Sequence, residues 1–106
     1  MTDPIATREF SCVGPDGEAF ALVVQLGRPK PVSDATDSDW SCPVTVPFDG
    51  KVRDIYGVDS WQALCLALSL VNSQLADFVR RGGKLYHPGT TDEITLHDFL
   101  RGDGAA

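Results

Sequence analysis

The sequence lacks the motifs that mark most enzymes and cofactor-binding proteins. Its 106 residues include only two histidines and three cysteines. They contain no GxSxG nucleophile elbow and no cysteine-protease signature. The two glycine-rich patterns that bind phosphate, GxxxxGK[ST] and GxGxxG, are also absent. No pattern therefore supports an activated serine or cysteine, or a bound nucleotide. We predict no catalytic residues, no cofactor and no metal site.

A membrane or secretion signal is also missing. The N-terminus, MTDPIATREF, has neither the basic nor the hydrophobic region of a signal peptide, and no apolar run approaches the length of a transmembrane span. We therefore expect a cytoplasmic protein with no membrane partner. Cys12, Cys42 and Cys65 are odd in number and far apart in apolar contexts, which predicts buried free thiols rather than disulfides or zinc ligands.

Positive charge is scarce. Nine basic against fifteen acidic residues give a formal net charge of −6, which disfavours nucleic acid as a partner. Asp34, Asp37 and Asp39 lie in a polar stretch, residues 27–39, that predicts a loop without the ligand spacing, central glycine or final glutamate of an EF-hand. We predict that these aspartates attract a basic protein partner, and the alternative is a solvated acidic loop.

One stretch without charge organises the rest of the chain. No charged residue lies between Asp59 and Asp77. Asp59 and Gln62 have the spacing of a capping box, and Gly82-Gly83 suits a helix stop. The sequence therefore predicts one helix over about residues 60–81.

The helical periodicity separates two faces of this helix. The predicted core face consists of Trp61, Leu64, Leu68, Val71, Leu75, Phe78 and Val79. Leu66 and Leu70 fall off this face, beside Ala63 and Ala67, and form a smooth apolar pair. We predict that Leu66 and Leu70 contact a protein partner or a second copy in a homodimer; the alternative is that a loop or the C-terminal segment covers them.

Alternating apolar and polar residues predict a set of antiparallel strands. They are Ile5–Val13, Ala19–Leu26, Trp40–Phe48 and Lys51–Tyr56, followed by a short strand at Lys84–Tyr86 and, as one of two alternatives for the last segment, a strand at Glu93–Leu96. Pro43 and Pro47 lie on one parity of the third strand, so that side is predicted to be a sheet edge or bulged.

Asp49-Gly50 predicts a tight hairpin after that strand. A two-residue turn places Val46 opposite Arg53, and a three-residue turn places it opposite Val52. The second register buries more apolar surface, so we favour it.

These elements predict an α+β fold in which an antiparallel sheet of at least four strands packs one face on the long helix. The length suits a single domain, residues 1–106, with an ordered core of about residues 5–100. Leu96, Phe99 and Leu100 have the spacing of a short terminal helix, which we favour over the strand at Glu93–Leu96, and residues 101–106 are predicted to be a disordered tail.

Three runs carry a resemblance to a known kind of domain. LGRP at Leu26 to Pro29, WSCPV at Trp40 to Val44 and VRDIYGVDSWQALCLAL at Val52 to Leu68 resemble a small bacterial domain found in short standalone proteins, over roughly residues 20–85. The family pattern is a hairpin that leads into one capped helix, without catalytic residues to carry over. Some small acidic proteins of similar architecture act as immunity proteins of bacterial toxin systems, so the resemblance implies a function in protein binding.

The sequence therefore predicts a non-catalytic protein-binding module, in its most specific form an acidic immunity protein that neutralises a toxin. The alternative is a small-molecule-binding domain or a small enzyme that uses His87 or His97, since histidine titrates near neutral pH. A deep pocket beside a perturbed histidine or carboxylate favours the alternative, whereas a shallow acidic surface favours the protein partner.

Overall fold

One antiparallel sheet carries one long helix on a single face. The computed structural model describes residue 1 and residues 3–97. The elements are β1 (Pro4–Val13), β2 (Ala19–Gly27), β3 (Lys30–Pro31), β4 (Trp40–Thr45), β5 (Val52–Gly57), α1 (Ser60–Arg80), β6 (Lys84–Tyr86) and β7 (Glu93–Ile94). The predicted α+β class, with at least four antiparallel strands packed on one helix, is confirmed.

The order of the strands places β4 and β2 inside the sheet. The order is β3-β4-β2-β1-β6-β7, and β5 pairs with the other edge of β4. Strands β2 and β3 follow one another along the same side of β4, so β3 extends β2 past a bend. The polar stretch read as a continuous loop therefore contains a two-residue strand at its start.

Pro43 interrupts the ladder on one side of β4. Leu26 pairs with Val44, and the next pair is Lys30 with Ser41, so three residues between Leu26 and Lys30 face only two residues of β4. Proline has no amide proton to donate there. The bulged form of the proline prediction is confirmed, and β4 is an interior strand.

The β4–β5 hairpin has neither of the predicted registers. Thr45 pairs with Val52, and the loop from Val46 to Lys51 is closed by a hydrogen bond from the Val46 N–H to the Lys51 carbonyl, at 2.8 Å. Strand β4 therefore ends three residues earlier than predicted. The local turn signal of Asp49-Gly50 did not set the register.

An aromatic cluster explains the longer loop. The Phe48 ring stacks on Phe78 of α1 at a centroid distance of 4.7 Å and meets Phe20 of β2 edge-on at 6.3 Å. Phe48 has a φ of 72°, a left-handed conformation that is rare for a bulky side chain. Its tertiary contacts therefore hold the backbone in a conformation that the local sequence does not favour.

Asp59 and the two glycines cap α1 as predicted, but Gln62 does not complete a capping box on the Asp59 N–H. The Asp59 carboxylate accepts from the Gln62 N–H at 2.8 Å, and the Gln62 side chain accepts from the Val58 N–H at 2.8 Å. Gly82, with a φ of 101°, and Gly83 donate their N–H groups to carbonyls of the last turn in the pattern of a Schellman motif. The predicted helix boundaries are confirmed.

The core face of α1 differs from the prediction. Ala63, Ala67 and Leu75 are fully buried, whereas Trp61 is 77% exposed and Leu68 is 41% exposed. Compared with the prediction, the helix is rotated about its axis, so that small side chains contact the sheet near the N-terminus of the helix. The assignment of Trp61 and Leu68 to the core was wrong.

Close approach of backbones explains this rotation. A Cβ atom on Gly57 would lie 2.5 Å from the Ala63 nitrogen and 2.9 Å from the Ala63 Cα. Helix and strand are therefore so close at this point that only glycine fits on β5. An alanine on the helix suits the same contact, because a larger side chain would separate the two elements.

The core lies between the helix and the inner face of the sheet. It consists of Phe10, Cys12, Val24, Leu26, Cys42, Val44, Ala63, Ala67, Val71, Leu75, Leu85 and Ile94. Strand β7 covers only Glu93–Ile94, and helical backbone begins at Leu96, which agrees with the favoured prediction of a terminal helical turn over a strand to Leu96. Phe99 and Leu100 of the predicted terminal helix, and the predicted tail at 101–106, lie outside the described residues.

Candidate functional site

The most exposed large apolar side chains of the described residues are close in sequence, where β5 leads into α1. Trp61 is 77% exposed, Val58 68% and Tyr56 60%. These three residues are called the β5–α1 corner below. Single exposed apolar residues are common on proteins, whereas two exposed aromatic rings within one short segment favour a contact surface.

The backbone of the β5–α1 corner is fixed by the helix cap. Val58 donates its N–H to the Gln62 side chain, and Asp59 accepts from the first turn of α1. Tyr56 lies on the outer face of β5, since its neighbours Ile55 and Gly57 point towards the helix. The three side chains are therefore carried by ordered backbone, Tyr56 on β5, Val58 before the helix cap and Trp61 in the first turn of α1.

The aspartate loop, residues 32–39, contains all three predicted aspartates. Asp34, Asp37 and Asp39 are exposed. Hydrogen bonds order the backbone: the Val32 N–H donates to the Asp39 carbonyl at 2.8 Å, and the Ser38 hydroxyl accepts from Ser33 N–H at 2.9 Å. Negative charge is thus displayed on an ordered loop.

The sheet register brings the aspartate loop beside the β5–α1 corner. Trp40 directly follows the loop and pairs with Gly57, which lies between Tyr56 and Val58. Paired strands are about 4.8 Å apart, so Asp39 and Val58 leave the same end of the sheet as neighbours. The exposed apolar group and the acidic loop therefore adjoin one another.

Leu66 and Leu70 do not form the predicted surface pair. Leu66 is 44% exposed, but Leu70 is half-buried and packs against the core. Ala63 and Ala67, expected beside them on the surface, face the sheet. A partner role for Leu66 stays a prediction, and the smooth patch that was its basis does not exist.

The two histidines lie apart. His87 follows β6 and His97 follows β7, and these strands are antiparallel neighbours, so the residues are at opposite ends of the hairpin. The His87 backbone closes a turn with Asp92 and Thr90, and its side chain is exposed. The described residues contain no group of three or more histidine, cysteine or acidic side chains placed to hold a metal ion.

The cysteines differ in environment. Burial raises the pKa of the Cys12 thiol to about 11, and burial followed by the charge of Asp54 raises the pKa of Cys42. Both are protonated at neutral pH and are therefore poor nucleophiles. Cys65 is exposed, which corrects the prediction that it is buried; all three thiols are free.

A groove of about 430 Å³ runs between α1 and the inner face of β1–β2. It is called the lateral groove below. Its lining includes Arg8, Phe10, Val24, Leu26, Leu68, Val71 and Asn72. The volume falls within the range of small-ligand pockets. The groove exists because α1 packs mainly on β4 and β5 and leaves part of β1–β2 uncovered.

Sequence reasoning missed the β5–α1 corner because the large residues of α1 were taken as its core face. A signal was present in the four-residue spacing of Ala63, Ala67, Val71 and Leu75, which are the residues that face the sheet. Reading small residues as a close-packing face would have placed Trp61 outside.

By length and composition α1 also qualifies as a helix able to cross a membrane, although its sequence predicted no such span. Core helices of soluble proteins pass the same criterion. The expected cytoplasmic location stays a prediction.

The comparisons with known proteins identify a family without an assigned activity. Residues 6–96 match the family model described as a domain of unknown function (DUF6968). No curated protein and no solved structure matches the chain.

Proposed function

The chain belongs to the DUF6968 family, and we propose that this protein is a non-catalytic module that binds a protein partner. The observation that carries the proposal is the position of the exposed β5–α1 corner beside the aspartate loop. An apolar, aromatic centre next to charge is the usual anatomy of a protein-binding surface. Both parts lie on ordered backbone, so little conformational entropy is lost on binding.

The two parts contribute differently to association. Tryptophan and tyrosine dominate binding hot spots, where truncation of one residue costs about 2 kcal/mol or more, so Trp61 and Tyr56 are the expected anchors. Exposed carboxylates mainly raise the association rate with a partner of opposite charge. The partner is therefore expected to present an apolar pocket beside a basic patch.

The most specific form of the proposal is an acidic immunity protein that neutralises a basic toxin. The net charge of −6 supports attraction to such a partner. The absence of a catalytic motif in the sequence and the separation of His87 from His97 fit a protein that acts by covering its partner. Neutralisation then needs only tight, stoichiometric binding.

The lateral groove supports a second candidate function, the binding of a small apolar ligand. Its apolar walls include Val24, Leu26 and Val71, with Arg8 and Asn72 among the polar lining residues. Within the described part of the chain neither histidine lines this groove, so the enzyme form of this alternative has less support.

Affinity capture with matched variants tests the proposal. Immobilised wild-type protein, Trp61→Ser and Leu66→Ser are exposed to lysate of the source organism at low and high salt. We expect wild type and Leu66→Ser to retain the same protein and Trp61→Ser to lose it, because only Trp61 belongs to the β5–α1 corner. Retention by the wild type should weaken at high salt.

The captured protein then decides the specific form. A toxic enzyme whose activity falls to zero at one equivalent of the wild-type protein would support the immunity function. Equal capture by Trp61→Ser and the wild type would remove the β5–α1 corner from the proposal.

A further inference from the structure

Strand β5 forms an open edge of the sheet. Within the described part of the chain it pairs with β4 and with no other strand, along all of its six residues. It contains no proline, and its pairing with β4 runs without a register shift, so neither a proline nor a bulge blunts this edge. An edge strand of this kind is a template on which a further strand can pair.

The hydrogen bonds of the β4–β5 hairpin show which backbone groups of β5 face outwards. The Val46 N–H donates to the Lys51 carbonyl, so Lys51 and every second residue after it direct their N–H and C=O groups towards β4. The residues between them, Val52, Asp54 and Tyr56, therefore direct theirs away from the sheet. These are the groups that an added strand would bond.

The side chains of the same three residues lie on the outer face of the sheet, because Ile55 and Gly57 point towards the helix. Val52 and Tyr56 are exposed large apolar residues, and Asp54 between them is exposed as well. Among the described residues Asp54 takes part in no ion pair. The open edge thus presents one unpaired negative charge between two apolar side chains.

This charge pattern favours a different protein over a second copy of the chain. An antiparallel second copy that pairs along all three outward residues would place Asp54 opposite its own counterpart, with like charges about 5 Å apart. Like charges directly opposite each other destabilise a pair of strands, and each copy carries a net charge of −6. A basic side chain opposite Asp54 would instead stabilise the pair.

We propose that β5 binds an extended segment of the protein partner as an added strand of the sheet. A basic residue of that segment lies opposite Asp54, and apolar residues two positions to either side lie opposite Val52 and Tyr56. Backbone hydrogen bonds supply the affinity, and the alternate side chains supply the specificity. This inference rests on the proposed function and adds the way in which the partner is held, since Tyr56 belongs both to the β5–α1 corner and to this edge.

Amide exchange measured by NMR tests the edge without the natural partner. The probe is a capped peptide, Thr-Val-Thr-Arg-Thr-Val-Thr, and the control peptide has glutamate in place of arginine. At millimolar concentration the arginine peptide should slow exchange of the Val52, Asp54 and Tyr56 amides. The amides of Arg53 and Ile55, which already face β4, should exchange as before.

The charge at Asp54 provides a second readout of the same experiment. The arginine peptide should bind about tenfold more tightly than the glutamate peptide at low salt, and Asp54→Asn should remove this preference. Unchanged exchange of all three outward amides, or equal binding of the two peptides to the wild type, would overturn the proposal. Protection that grows with protein concentration in the absence of peptide would assign the edge to a second copy and also overturn it.

Affinity capture separates this inference from the proposed function. Val52→Pro removes one outward N–H and leaves the bonds to β4 in place, and Val52→Ala is the matched control that keeps the N–H. We expect Val52→Ala to retain the partner captured by the wild type and Val52→Pro to bind it at least about tenfold more weakly. If Val52→Pro retains the partner and Trp61→Ser loses it, the added strand is wrong and the proposed function stands. If both variants retain the partner, both proposals are wrong, and if Val52→Pro fails to fold, the amide exchange decides.

Discussion

Replacing Gly57 by alanine should destabilise the protein strongly, although glycine-to-alanine changes in compatible backbone are often stabilising. The new methyl carbon would lie 2.5 Å from the Ala63 nitrogen and 2.9 Å from both the Ala63 Cα and the Gln62 carbonyl carbon. All three atoms are backbone, so no side chain can rotate away. To reach an ordinary contact of 3.4 Å, α1 must retreat from β5 by about 0.9 Å.

The magnitude follows from what that retreat disrupts. Overpacking costs about 1–3 kcal/mol in well-packed cores, and we expect about 3 kcal/mol here because the obstacle is the helix backbone at the fully buried Ala63. For a domain of this size the loss corresponds to a fall in melting temperature of about 10–20 °C. Urea unfolding followed by circular dichroism measures it.

Two further variants isolate the cause. Gly89→Ala measures the cost of a left-handed backbone alone, because Gly89 has a φ of 70° and an added methyl group would have no atom within 4 Å. This variant should lose only about 1 kcal/mol of stability. Ala63→Gly should not rescue Gly57→Ala, because the clash is with backbone atoms. A neutral Gly57→Ala, or full rescue by Ala63→Gly, would refute the close-contact explanation.

Three other predictions concern charge, burial and titration. Changing the three aspartates of the aspartate loop to asparagine should slow association with a basic partner about tenfold at low salt and leave the melting temperature unchanged, as stopped-flow and calorimetry can check. Leu70→Glu should destabilise the fold, whereas Leu66→Glu should change the free energy of unfolding by less than about 0.5 kcal/mol. If sedimentation shows a dimer for the wild type and a monomer for Leu66→Glu, Leu66 is a dimer contact after all. Burial raises the pKa of Cys12 from 9.0 to about 11, so the unfolded chain loses this proton first and the free energy of unfolding should fall between about pH 9 and 11. That fall should be smaller in Cys12→Ala. An equal dependence of the free energy of unfolding on pH in both proteins would contradict the assignment of the fall to Cys12.

Capping and strand patterns predicted most of the fold because their causes are local. Asp59 and Gly82 fix the ends of α1 through hydrogen bonds within a few residues, and the alternation of apolar residues in β1 and β2 requires only one buried face. These features are properties of short segments. The sequence therefore contains enough information to identify them.

The candidate site was harder to predict because it depends on contacts between distant segments. The exposure of Trp61 follows from the fit of Gly57 against Ala63, and the hairpin register follows from Phe48 meeting Phe78. Neither contact has a local pattern. The aspartate loop was found from composition alone, but its position beside the β5–α1 corner needed the pairing of Trp40 with Gly57.

The most direct test of the proposed function is the environment of Trp61 before and after binding. The chain has two tryptophans, and Trp40→Phe leaves Trp61 as the single emitter on the surface. On addition of the protein captured by the wild type, we predict that Trp61 emission shifts to shorter wavelength and that acrylamide quenching falls several-fold. Binding shown by calorimetry with unchanged emission and quenching of Trp61 would contradict the role of the β5–α1 corner as the partner surface.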